Sequence, residues 1–479
     1  MHYVGKYSEI WDIDKPRRNK YNCSGLFPSV GTQALSAQII FQRYCGRKKF
    51  MSETIEKKWL RPYTVWGLLM LLTIAYGFVF ATPREIVQGL WRIYTSPALL
   101  THDYIHHEIG GLGAALVNSG MSGLFVLGAF KLAKLPQTGL PMGAFGLVMG
   151  FALLGKNPLN MFPIVLGAFL YSRYKKRPWK ETVTISAFAT CLAPVVSQPA
   201  HIEQLGVPLG ILIGFLLGVI IGFVINSMGG FIKKSHEGLN LYNIGWGAGL
   251  LSIALAVIYN AIGVERFAVG TFVSGGNNLP LNIYLAGIAV FFFVAGILAK
   301  PTTGNLLKIA NMKADDNDFY VKYGAGDTYI GMGMLAVLAL LIMNIVRVEF
   351  NGPVLGAIVS MIGWGGYGKS VANSAAIIAG VMLGGLARTL LVADFAFNAA
   401  VIYTSAFWGT CLSPMAKFFG LKWALVIGFV HFAFAFSIAP FHWGMNLYNN
   451  GLAAGFVCVV MIPVIRAFDR KGKYDPKVV

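Results

Sequence analysis

Charge is what this chain has least of. Asp, Glu, Lys and Arg together make up 12% of its 479 residues, and only 20 residues are acids; a soluble globule carries about 25% charged residues. With 56% hydrophobic residues and a mean hydropathy of +0.62, the chain is too apolar for a soluble enzyme or binding module, and it reads as a polytopic membrane protein. A disulfide framework is also missing: of five cysteines, Cys191 and Cys411 sit in apolar segments as small packing residues, and Cys23 and Cys45 lie in a basic segment expected to stay cytoplasmic and reduced. Phosphate-binding loops, dinucleotide fingerprints, nucleophile elbows and zinc-ligand runs are absent, so no cofactor or metal is expected. Residues 1–55 hold no apolar stretch adequate for a cleavable signal peptide.

The scarcity of acids leaves a net charge of +19, but its distribution excludes a nucleic-acid partner. Residues 1–62 hold twelve Lys/Arg against five Asp/Glu. Most of the remaining excess stands between apolar runs, as in Arg173-Tyr174-Lys175-Lys176-Arg177, or follows Arg466. That is the positive-inside bias of a membrane protein rather than a basic binding face.

What the chain does have is one polar motif written twice. His236-Glu237-Gly238-Leu239-Asn240-Leu241-Tyr242-Asn243-Ile244-Gly245-Trp246-Gly247-Ala248-Gly249 recurs as His442-Trp443-Gly444-Met445-Asn446-Leu447-Tyr448-Asn449-Asn450-Gly451-Leu452-Ala453-Ala454-Gly455, with nine of fourteen positions identical. Upstream, Thr190-Cys191-Leu192 recurs as Thr410-Cys411-Leu412, and Gly143, Gly150, Gly155-Lys156, Asn160 and Gly167 recur 213 residues later as Gly356, Gly363, Gly368-Lys369, Asn373 and Gly380. The chain is an internal duplication.

Apolar segments fall near 64–82, 110–132, 139–155, 159–173, 182–199, 206–227 and 241–262, and again near 281–299, 324–346, 353–367, 371–387, 396–415, 421–440 and 446–466. The fold expected is therefore all-α, with about 14 membrane segments arranged as two 7-segment repeats containing broken or re-entrant helices. An odd count inverts the second repeat relative to the first. With both termini cytoplasmic, most basic loops then fall inside, Arg347 and Arg388 being exceptions. The expected organisation is a basic cytoplasmic segment over 1–55, repeat one over 56–279, repeat two over 280–466 and a basic cytoplasmic tail over 467–479. Residues 1–50 differ in texture from the rest, and they are expected to be dispensable, as an upstream extension with no place in the fold or, alternatively, a small cytoplasmic tail.

Polar, glycine-interrupted segments at matching positions of two inverted halves point to a transporter or channel site near the bilayer midplane. Asn240, Tyr242, Asn243, Asn446, Tyr448 and Asn449 supply uncharged donors and acceptors suited to a small polar solute; the alternative is that they satisfy backbone freed by helix breaks. His236 and His442 suit proton sensing or structural hydrogen bonding. Lys156 and Lys369, each following a glycine at a junction of two short apolar segments, suit an anionic solute or, alternatively, snorkel to the interface. Asp327 and Asp394 suit an ion-coupling role or helix capping. The cluster His102-Asp103-Tyr104-Ile105-His106-His107-Glu108 has metal-compatible spacing in one half only.

At its two Gly-x-Asn-Leu-Tyr-Asn-x-Gly motifs the chain resembles a bacterial and archaeal family of multi-pass membrane proteins known as a domain of unknown function, from about residue 60 to the C-terminus. Its layout, with Asn118-Ser119-Gly120-Met121-Ser122-Gly123-Leu124 as an Asn/Gly-rich entry segment, is also similar to the urea-transporter architecture. The Leu-Pro-x-x-Thr signature of those transporters is missing from both halves, so no site residues are carried over. The expected function is passage of a small polar solute across the cell (inner) membrane at the repeat interface. The partners are the lipid bilayer and that solute, and a homo-oligomer is compatible. The alternatives are a membrane-embedded enzyme using the His/Asp/Glu cluster, or a structural scaffold.

Overall fold

A computed structural model describes residues 58–100, 102–265, 276–312, 318–470 and 472–474. The basic segment over 1–55, with its expected dispensability, lies outside the described residues. Among the described residues every regular element is helical, and the backbone makes one isolated bridge, Asp318 with Tyr367. The first half runs α1 (Pro62–Gly77), α2 (Pro83–Tyr94), α3 (Gly111–Leu132), α4 (Gly139–Phe151), α5 (Pro158–Tyr174), α6 (Val183–Ala189), α7 (Ala193–Ser197), α8 (Gly206–Ser235) and α9 (Asn243–Ala261). The second runs α10 (Asn278–Leu298), α11 (Thr303–Ala310), α12 (Phe319–Tyr323), α13 (Ala325–Val346), α14 (Gly352–Gly363), α15 (Val371–Leu391), α16 (Ala400–Gly409), α17 (Ser413–Phe419), α18 (Leu421–Ser437) and α19 (Asn449–Ala467). The two halves match element for element, apart from the extra turn α12.

Eight of these helical stretches are long and apolar enough to cross a bilayer: α3, α6–α7 taken together, α8, α9, α10, α13, α15 and α19. They make this a multi-pass membrane protein. α8 turns Val207, Ile211, Leu212, Leu216 and Ile220 outward, more than half exposed, which only lipid makes favourable. The fourteen apolar segments all become helix, yet they are not equivalent. α4 and α14 have 13 and 12 residues, about 20 Å of helix against a hydrocarbon core of about 30 Å, and every α14 residue and all but one α4 residue is buried. They are the broken elements expected. α2 and α11, between the first and second apolar segments of each half, are amphipathic helices that apolar runs alone do not mark; α2 is stopped at its N-terminus by a Thr82–Glu85 capping box and holds Trp91 on its exposed face.

Lipid gives helices no hydrophobic reason to associate, so contact depends on close backbone approach at small residues. The same approaches recur in both halves. α1 lies antiparallel on α3 with Gly77 at Gly113, as α10 lies on α13 with Gly296 at Gly326. α5 runs beside α8 with Gly222 against the Ile164 carbonyl, as α15 runs beside α18 with Gly428 against the Ile377 carbonyl. At the centre the equivalent helices α4 and α14 cross antiparallel: Gly150 faces Gly356, Gly146 faces Gly363, and a Cβ added to Gly150 would lie 2.2 Å from the Gly356 carbonyl oxygen.

Each central helix is capped by an acid from the opposite half. Asp318 accepts from the N–H of Gly139, which opens α4, at 3.0 and 3.1 Å through its two oxygens. Asp103 accepts from the N–H of Gly352, which opens α14, at 3.0 Å and from Ile105 N–H at 2.9 Å, both on Oδ1. A carboxylate at a helix N-terminus is favourable both as a cap and against the helix dipole. Asp103, read from sequence as part of a metal-compatible cluster, is thus a reciprocal partner of Asp318. Asp327 accepts from Thr302 N–H at 2.9 Å and closes the entry to α11.

Candidate functional site

The two motifs leave α8 and the turn after α18 at His236 and His442, and reverse through left-handed residues, Glu237 and Gly238 (φ 52° and 75°) and Trp443 and Gly444 (φ 53° and 72°). They then enter α9 at Asn243 and α19 at Asn449. Only glycine takes that region without cost, which accounts for Gly238 and Gly444 being common to both copies.

Each copy folds on itself. His236 Nε2 meets Asn243 Oδ1 at 2.7 Å, Asn240 N–H donates to His236 Nδ1 at 3.4 Å, and Tyr242 N–H donates to Asn240 Oδ1 at 2.9 Å. In the second copy the same bonds join His442 to Asn449 (3.0 Å), Asn446 to His442 (3.3 Å) and Tyr448 to Asn446 (3.1 Å). A ring that accepts at Nδ1 and faces a carbonyl oxygen at Nε2 is the neutral, Nε2-protonated tautomer. The copies then lock to each other where α9 crosses α19, with Gly245 against Gly451. Asn240 Nδ2 donates to the Gly451 carbonyl at 3.1 Å and Asn446 Nδ2 to the Gly245 carbonyl at 3.5 Å, while Leu241 N–H reaches the Cys411 carbonyl and Leu447 N–H the Cys191 carbonyl. The histidines and asparagines therefore hold backbone and one another.

The tyrosines do something else. The rings of Tyr242 and Tyr448 lie 6.2 Å apart, and each hydroxyl receives a lysine from the opposite half. Lys156 Nζ donates to Tyr448 Oη at 2.8 Å and stands 4.5 Å from that ring's centre. Lys369 Nζ donates to Tyr242 Oη at 3.0 Å and to Thr410 Oγ1 at 2.7 Å, 4.7 Å from the Tyr242 ring centre. The lysines are 0% and 1% exposed, so neither snorkels to an interface. No carboxylate among the described residues pairs with either ammonium. The lysines occupy the breaks α4–α5 and α14–α15, held open by capping boxes Asn157–Asn160 and Ser370–Asn373. All ten residues selected from sequence thus form one connected cluster: an inner group of two lysines and two tyrosines, and an outer frame of four asparagines and two histidines.

Sequence reading missed Thr410 and an aromatic wall. Phe151 stacks on Trp408 at 4.4 Å and Phe188 on Trp364 at 5.6 Å. Phe151 and Trp364 are 213 residues apart and Phe188 and Trp408 are 220 apart, the same offsets as the neighbouring glycines and Thr-Cys-Leu runs. The signal was present as a kept aromatic class rather than a kept residue.

Against known families, the model described as Protein of unknown function (DUF1576) matches twice, over residues 82–261 and 299–467, which is most of the chain. The chain belongs to that family. The double match coincides with the duplication, one copy ending with α9 and the other with α19. No curated protein and no solved structure matches the chain.

Proposed function

We propose that this member of the family is a transporter or channel for a small polar solute, built from two inverted repeats, with its site at the reciprocal lysine–tyrosine contacts. The observation that carries the reading is the pair of lysines buried in the interior of a membrane protein without a carboxylate partner. Removing a charge from water costs several kcal/mol even after relaxation, and apolar residues of similar volume commonly serve a fold at least as well. Among the described residues neither lysine has a structural anion to hold, so a purely architectural role explains them poorly. A ligand or a proton arriving from outside explains them better.

Inversion is supported by the antiparallel crossing of the equivalent helices α4 and α14 and by the odd segment number, with which most basic loops fall on one side when every segment is taken to cross. In such a pair the two breaks meet near the midplane. We place the protein in the cell (inner) membrane with both termini cytoplasmic. The enzyme alternative is weakened because Asp103, the buried acid of its cluster, directs Oδ1 to two backbone N–H groups.

The test is uptake into proteoliposomes of solutes first selected by thermal shift on the purified protein. Lys156→Met and Lys369→Met should each abolish uptake while leaving the melting temperature equal or higher, since both remove a buried charge. Normal uptake by both variants, or a wild-type protein stabilised by no solute, would refute the reading.

A further inference from the structure

We infer that the solute is a small anion, an inference that rests on the transport reading above and narrows it. The inner group offers donors and positive charge, with the ring faces of Tyr242 and Tyr448 and the thiols of Cys191 and Cys411 as the lysines' other neighbours. Lys156 has one protein acceptor, the Tyr448 hydroxyl, for three N–H bonds, and Lys369 has two, Tyr242 and Thr410. Four helices begin here. α5 starts two residues after Lys156 and α15 two residues after Lys369, while α9 and α19 start directly after Tyr242 and Tyr448 with no side-chain cap. Their positive ends add to the two ammonium charges.

The surrounding wall contributes in the same sense. Trp364 and Trp408 are each 2% exposed, and among the described residues neither indole N–H has an acceptor. An indole N–H can only donate. The Trp364 ring lies 5.6 Å from that of Tyr242, and the Trp408 ring stacks on Phe151, itself 4.5 Å from the ring of Tyr448. The unpartnered acceptor atom of Asn118 is the counter-example nearby, on the side chain that donates to the Lys156 carbonyl.

A cation would meet two like charges and four positive helix ends, and no carboxylate. A neutral solute would compensate neither lysine in its protonated form. A small anion compensates them and accepts from the free N–H bonds. The duplication places one lysine on each side of the tyrosine pair, so a permeating anion would be handed from one ammonium to the other, with the hydroxyls between.

The experiment uses the full chain in detergent with sodium gluconate as background salt. Sodium nitrate, formate, phosphate and sulfate are titrated against urea and formamide as neutral probes and ammonium as a cationic one, with melting temperature read throughout. Uptake of the responding probe is then measured in proteoliposomes. Saturable stabilisation by at least one anion, weakened tenfold or more in both Lys156→Met and Lys369→Met, is the expected result. The wild-type comparison stands even where a variant fails to fold. Stabilisation and uptake of urea or formamide without any anion response would overturn the anion while leaving the transport reading intact. An anion response undiminished in both lysine variants would also overturn it, and no response or uptake with any probe would remove both readings.

Discussion

Asp103 gives the most exact handle on the architecture, because one oxygen atom carries its whole role. Oδ1 accepts from both Ile105 N–H and Gly352 N–H, and the residue is 4% exposed. Asn presents a carbonyl oxygen in the same place and can accept both bonds; Ala presents nothing. Each orphaned buried N–H costs about 1–3 kcal/mol, so Asp103→Ala should be less stable than Asp103→Asn by about 2–4 kcal/mol at every pH, allowing for relaxation. Wild type moves between them. Burial pushes the Asp103 carboxyl up to about 6 from its ordinary 3.8. A raised pKa means that the folded state holds the proton more tightly than the unfolded state. The resulting stability is fully present below pH 4 and is lost as the pH rises through 6. Wild type should therefore match the Asn variant at pH 4 and fall below it by up to about 3 kcal/mol at pH 7, at about 1.4 kcal/mol per pKa unit. Thermal denaturation of the three proteins in detergent between pH 4 and pH 7.5 measures both differences. Ala and Asn variants of equal stability would refute the cap, and a wild-type-to-Asn difference that ignores pH would refute the burial argument.

Asp318→Ala should lower stability relative to Asp318→Asn in the same way, by about 1–2 kcal/mol since its cap is more exposed, read as melting temperature. Gly150→Leu should abolish folded, monodisperse protein, because its Cβ would strike the Gly356 carbonyl, whereas Gly128→Leu, with nothing within 4 Å, should express normally; size-exclusion profiles decide. In intact cells a membrane-impermeant thiol reagent should reach a cysteine placed at 264 or 277 and miss one at 176. The opposite pattern at either place would overturn the orientation proposed.

The duplicated skeleton was legible in sequence because helix crossings in lipid demand glycine at fixed places, and glycines such as Gly150 and Gly363 stand at a constant offset. The inner cluster was legible for the same reason: Lys156 and Lys369 travel with Gly155 and Gly368. What sequence could not give was direction. Asn240 and Tyr242 lie two residues apart in one motif, yet the first turns its carboxamide to backbone and the second its hydroxyl to a lysine of the other half. Nothing in a linear pattern distinguishes those orientations, since both residues satisfy polar groups and both recur. Asp103 and Asp318 escaped because they stand 215 residues apart in loops of different length, so no shared register marks them as a pair.

The departures from symmetry say where the two repeats differ in use. Glu237 and Trp443 occupy the same left-handed corner, φ 52° and 53°, and each ties its motif to the last helix of a repeat near that helix's C-terminal end. Glu237 does so by a bidentate ion pair with Arg466 of α19, at 2.6 and 2.7 Å, and Arg466 also donates to the Tyr474 carbonyl at 2.9 Å. Trp443 does so by a ring contact with Tyr259 of α9 at 6.5 Å. One corner is therefore held by charge and the other by apolar area, and only the first responds to salt. The ion pair is partly exposed, 40% at Glu237 and 24% at Arg466, so it is worth about 1 kcal/mol or less, and its loss should barely move the melting temperature. It should instead loosen the first corner by up to about fivefold, the equilibrium equivalent of 1 kcal/mol. A cysteine at Leu239, labelled with maleimide in detergent, should react up to fivefold faster in Glu237→Gln than in its parent, and the parent rate alone should rise with salt. Equal rates in both backgrounds at low salt would mean that the corner is held by its own hydrogen bonds, and that the asymmetry at Glu237 and Trp443 has no mechanical consequence.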